Sequence, residues 1–177
     1  MATKSTVPTK RPLVVPISTA AAMLGNQNQK LVPCITHAAC GSEGIGAAIG
    51  IITPGNATKV HKHEHSETVL FVMEGWAVTL IGPKLVPYFT GPGDFLFIPN
   101  NAVHIGFNLS DKHRVVATET RTDRHFNDDV VLLPELEEKA AAVIADIKQH
   151  FKAGLLKLPK HWTIGDMRPY SFIEAEV

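Results

Sequence analysis

Between residues 44 and 120 the apolar runs are short, and glycine or proline stops nearly every one. Pro54-Gly55-Asn56, Gly75, Gly82-Pro83 and Gly91-Pro92-Gly93 are turn signals, and the segments between them have the length of strands. A chain punctuated this way cannot lay down long helices in that region. It must close many short strands into an antiparallel barrel or sandwich. Strands are expected over 44–53, 68–73, 76–81, 85–90, 95–98, 102–108 and 114–120, with 68–73 and 76–81 forming a hairpin about Glu74-Gly75. The small residues inside 45–52 permit close packing of the first of these.

Outside the strand-rich region the period changes. Pro134 suits a first helical turn, Glu135, Glu137 and Glu138 sit at the positive end of the dipole, and Lys148, His150 and Lys152 lie near the other. Leu136, Ala140, Val143, Ile144, Ile147 and Phe151 recur at steps of three and four, which predicts a helix over 134–152 with one apolar stripe. Gly154 supplies its stop. Near the start, Ser18-Thr19 is positioned to cap a short helix through Leu24. The expected organisation is an arm over 1–12, a barrel over 13–130, and a helix with an aromatic tail over 131–177. Trp162, Tyr170 and Phe172 would anchor that tail.

Charge and composition narrow the partners. Lysine plus arginine number 17 against 17 aspartate plus glutamate, with no basic stripe, so neither nucleic acid nor an anionic membrane surface is an expected partner. The apolar stretch 13–24 is interrupted by Pro16, Ser18 and Thr19 and is too short to span a bilayer, so a cytoplasmic protein is expected. Cys34 and Cys40 flank His37, but a zinc site there lacks a fourth ligand and a disulfide framework needs more cysteine. Two reduced thiols are the expectation.

The chemistry is concentrated in the histidines. His61 and His63 stand at i and i+2 on an extended segment and therefore point to one side of a strand. Imidazole is the commonest protein ligand for a transition metal, and a third histidine, His104, follows the apolar run 95–98. The two segments together resemble the paired motifs of the cupin superfamily. Gly55, His61, His63 and Gly75 fall on the first motif. Gly93, Pro99, His104 and Asn108 fall on the second, with Asn101 where the motif has glycine. Asparagine tolerates positive φ better than most residues, so that departure is mild.

The resemblance implies an all-β double-stranded β-helix, a jelly-roll barrel with the C-terminal helix packed outside. It also implies one divalent metal ion on His61, His63 and His104, and a homodimer. The carboxylate of the first motif should fall at residue 68, which is Thr68; Glu67 is one residue early and, on a regular strand, faces the other way. Only a β-bulge would turn Glu67 inward as a fourth ligand. Thr68, Leu70, Phe95, Phe97 and Ile105 are the expected pocket residues, with no catalytic side chain beyond the metal ligands. The family's three-histidine members include dioxygenases, so the leading expectation is a mononuclear non-haem Fe(II) dioxygenase acting on a small aromatic or dicarbonyl molecule. Zn, Mn or Ni would instead fit a lyase or isomerase, and a non-catalytic binding protein is the third possibility.

Overall fold

The computed structural model describes residues 12–158. Residues 1–11 and the aromatic tail expected to hold Trp162, Tyr170 and Phe172 lie outside that range. The described chain is mostly β: β1 (Met23–Leu24), β2 (Lys30–Ile35), β3 (Gly46–Ile52), β4 (His61–His63), β5 (Thr68–Glu74), β6 (Ala77–Ile81), β7 (Val86–Thr90), β8 (Phe95–Ile98), β9 (His104–Asn108), β10 (Val115–Arg121) and β11 (Val130–Leu132). A one-turn helix α1 (His37–Cys40) and the long helix α2 (Glu137–Lys152) complete it. No helix among the described residues is long and apolar enough to cross a membrane.

The strands form two sheets, ordered β1-β2-β3-β10-β5-β8 and β11-β4-β9-β6-β7, and every named pairing is antiparallel. This is the double-stranded β-helix, with a helix outside. Segments 68–73 and 76–81 do not make the expected hairpin. β5 pairs with β10 and β8 in one sheet, whereas β6 pairs with β7 and β9 in the other. Gly75 turns the chain between sheets at φ 80°, and a Cβ there would strike the Arg114 carbonyl, so the corner requires glycine. The expected helix after Ser18-Thr19 is also absent. A single 3₁₀ turn (Ile17–Thr19) leads through extended backbone into β1, whose pairing with β2 overrides the helix propensity of the alanines.

The central strands β6 and β9 of the five-stranded sheet are buried on both faces. Along β6, Val78 and Leu80 point outward, and along β9 so do Ile105 and Phe107. There they join Val60, Leu85 and Leu109 in a core completed by Ala140 and Ile147 of α2. Each such aliphatic or aromatic side chain contributes about 1.5–3 kcal/mol on full burial, which is what fastens the helix to the barrel. Polar contacts fix its position: the Val60 amide donates to Glu137 Oε1 at 2.8 Å, Lys139 Nζ to the Pro83 carbonyl at 2.8 Å, and Lys148 Nζ to the Gly55 carbonyl at 2.7 Å. The opposite face of the same sheet looks into the barrel, where the histidines are.

Candidate metal centre

β4 is three residues long, and its alternation buries His61 and His63 on the inner face with Lys62 half-exposed between them. β9 runs antiparallel beside it with His104 directly opposite His61. The three rings meet: centroids lie 4.1 Å apart for His61 and His104, 5.2 Å for His61 and His63, and 5.4 Å for His63 and His104. One nitrogen from each ring lies within 4.8 Å of the others, and all three residues are buried.

The ring nitrogens are not equivalent. His61 Nδ1 lies 2.8 Å from the Lys59 carbonyl, His104 Nδ1 2.9 Å from the Ala102 carbonyl, and His63 Nδ1 3.0 Å from Asp129 Oδ1. Carbonyl and carboxylate oxygens only accept, so each Nδ1 carries the proton and donates. Each Nε2 keeps its lone pair. Burial disfavours imidazolium at all three, opposed in part by those same hydrogen bonds. His104 is driven down to about 3, His61 well below the ordinary histidine value with the His104 charge as the next cause, and His63 downward with the Arg121 charge as the next cause. Three neutral imidazoles with oriented Nε2 atoms form the donor set of a divalent transition metal, each oriented by the outer-shell acceptor such ligands need. His63 Nε2 is buried and has no hydrogen-bond partner among the described residues, an arrangement that a metal ion would satisfy.

Asp129, just before β11, was not singled out by the sequence. Burial opposes its charge, but hydrogen bonds from Ser66 Oγ (2.6 Å), His63 and the His65 amide outweigh that and hold the carboxyl down to about 2. It sits far from the motifs in sequence, and only the pairing of β11 with β4 brings it to His63.

Glu67 is not in the cluster. β5 and β10 stay in regular register at this end, with Arg121 opposite Thr68, and the irregularity lies far away between Val116 and Ala117. No bulge turns Glu67 inward. It is exposed, and its amide donates to Thr122 Oγ1 at 2.9 Å. Thr68 occupies the inward position.

A cavity of about 50 Å³ opens beside His61 and His104, lined by Thr68, Leu70, Ile98 and Ala117 among others. Thr68 and Leu70 are among the lining residues, whereas three other expected pocket residues are not. Phe95 and Phe97 are 72% and 54% exposed, because in β8 it is Leu96 and Ile98 that turn inward. Ile105 is buried, but against α2, since its neighbour His104 faces the cavity and adjacent strand residues face opposite ways.

The cavity also holds charges that the sequence did not expose as a site. Glu119 and Arg121 line it from β10, joined by a 2.8 Å ion pair and almost fully buried. Gln29 Nε2 donates to Glu119 Oε1, and Arg121 NH1 donates to Asn127 Oδ1 at 3.0 Å. Gly50 makes room for this group, because a Cβ there would run into the Glu119 carboxylate and the Gln29 amide. The available signal was the alternation of β10, in which Val115, Ala117, Glu119 and Arg121 share one face.

Comparison with known proteins agrees with this architecture. Residues 48–120 match the family model of the cupin domain. No curated protein matches the chain. Similar solved structures include a cupin-like protein from Thermotoga maritima (16% identity, TM-score 0.55, covering 81% of this chain and 97% of that one). A structure of oxalate oxidase is similar at 17% identity and TM-score 0.56, covering 80% and 81% respectively. A sugar phosphate isomerase of the cupin superfamily from Silicibacter pomeroyi is similar at 17% identity and TM-score 0.51, covering 62% and 75%. At these identities the likeness establishes the fold alone. Barrel, motif match and histidine cluster agree in making residues 48–120 a cupin domain.

Proposed function

We propose that this cupin is a mononuclear metal enzyme, in the first instance a non-haem Fe(II) dioxygenase acting on a small organic molecule. The observation behind the proposal is the donor set: His61, His63 and His104 converge beside a cavity, and among the described residues no carboxylate joins them. A divalent ion so held keeps its full double charge and supplies Lewis acidity and, if iron, redox chemistry toward dioxygen. The protein's part is to orient and exclude. Leu70, Ile98 and Ala117 give the cavity apolar walls, and Thr68 places a hydroxyl beside the substrate. A volume near 50 Å³ is room for roughly three to five water-sized groups, which suits a compact dicarbonyl better than a fused aromatic. The test is anaerobic reconstitution with Fe(II), then oxygen uptake over small diketones, catechols, thiols and carboxylates, keto acids included. Substrate-dependent uptake lost in His104→Ala is the expected result, and no uptake with any of them would overturn the dioxygenase reading.

A lyase or isomerase using a redox-inert ion is the second reading. It is favoured by Glu119, a buried carboxylate on the cavity wall that could hold a substrate proton. Oxygen-independent turnover with Zn(II) or Mn(II) would select it. We further propose that the chain works as a homodimer, supported by the exposed apolar face of Val69, Phe95 and Phe97 at the β8 edge.

A further inference from the structure

We propose that the ligand of this cavity is a small carboxylate, gripped on the side facing the histidines by Thr68 and Arg121. The inference rests on the metal-centre reading and names the substrate class that such a centre would take here. Two polar groups carry it. Thr68 Oγ1 and Arg121 Nε are buried, and neither finds a hydrogen-bond partner among the described residues. An unpaired buried hydroxyl or guanidinium N–H is costly in a native structure, and two of them on one wall of a cavity indicate a shared acceptor.

The strands put them together. Thr68 of β5 and Arg121 of β10 are direct cross-strand partners, which brings their Cβ atoms to about 4.5–5.5 Å on one face, and both line the cavity with His61 and His104. Arg121 is held in place without being used up. Glu119 takes NH2, Asn127 takes NH1, and the guanidinium lies over the Phe126 ring with Cζ 4.5 Å from its centroid. Nε is the guanidinium nitrogen left without a partner.

Charge selects the class. Glu119 balances Arg121, the three imidazoles are neutral, and Asp129 behind His63 offsets one charge, so a divalent ion leaves the site with a net positive charge in apolar surroundings. A carboxylate offsets that charge, and its acceptor oxygens match one hydroxyl and one guanidinium N–H. A neutral ketone or amide of the same size offers fewer acceptor sites and no charge.

Co(II) loaded into the whole chain reports the test through its visible absorption, titrated with acetate and pyruvate and, as neutral counterparts, acetamide and acetone. Two variants remove the grip. Thr68→Val is nearly isosteric, and Glu119→Gln combined with Arg121→Met removes the guanidinium without stranding its partner; should the double variant not fold, Thr68→Val decides alone. The expected result is that the carboxylates shift the spectrum, the neutral molecules do not, and carboxylate affinity falls about tenfold or more in the variants, the worth of a hydrogen bond to a charged group. Equal affinity in wild type and Thr68→Val, or equal response to acetate and acetamide, would overturn the proposal while leaving the metal centre standing. Failure of Co(II) to bind at all would overturn both.

Discussion

Replacing Asp129 by asparagine separates the role of this residue in the fold from its role at the metal. The carboxylate accepts from His63 Nδ1 at 3.0 Å, from the Ser66 hydroxyl at 2.6 Å, and from the amides of Ser66 and His65 at 2.9 and 3.2 Å. Those donors hold it down to about 2 against an ordinary 3.8, despite the opposing effect of burial. A depressed carboxyl stabilises the fold above the unfolded-state pKa, and that contribution is lost as pH falls through the folded value. At pH 7 it is fully present and amounts to about 2 kcal/mol. Asp129→Asn should therefore cost the metal-free protein about 2 kcal/mol in urea unfolding with EDTA. With saturating Zn(II) the loss should grow, because removing an outer-shell acceptor weakens metal affinity about 10–100-fold, a further 1.4–2.7 kcal/mol or so. The same loss with and without Zn(II) would refute the orienting role, and a metal-free loss below about 0.5 kcal/mol would refute the electrostatic one.

Two more outcomes are expected. The three histidines have folded-state pKa values below the unfolded value of 6.5, so the unfolded chain binds more protons as pH drops below that point. The metal-free protein should then lose about 2 kcal/mol from His104 alone between pH 7 and 5, while bound metal blocks protonation and preserves the urea midpoint; equal acid sensitivity with and without metal would contradict this. Phe97, 54% exposed, should be replaceable by aspartate with a stability change within about 0.5 kcal/mol, converting a dimer to a monomer in sedimentation. A wild-type chain that sediments as a monomer would refute the dimer.

The sequence made the barrel and its histidine triad legible because both depend on local spacing. His61 and His63 needed only the two-residue period of a strand, and Asn101 at the glycine position of the second motif adopts φ 59°, the conformation the turn requires. The errors came where local pattern is silent. Phe95-Leu96-Phe97-Ile98 is apolar throughout, so nothing in it says which alternate residues face in; pairing with β5 decides, setting Phe95 beside Phe71 on the outer face with ring centroids 4.6 Å apart. Ile105 was misassigned because α2 buries the outside of its sheet, so apolar character no longer distinguishes interior from exterior. Nothing in the local pattern marks Glu119 and Arg121 as buried. Their burial follows from long-range contacts with Gln29, Gly50 and Asn127 that no spacing rule connects.

Two of the three imidazoles are aimed by main-chain carbonyls, Lys59 for His61 and Ala102 for His104, each two residues upstream of the ring it holds. Backbone oxygens survive any substitution, so drift in the gene can hardly retune those two donors. Adjustment of ligand basicity is thereby channelled to a single adjustable screw, the carboxylate behind His63. A substitution at that one position would therefore be the most direct way to change how strongly His63 donates.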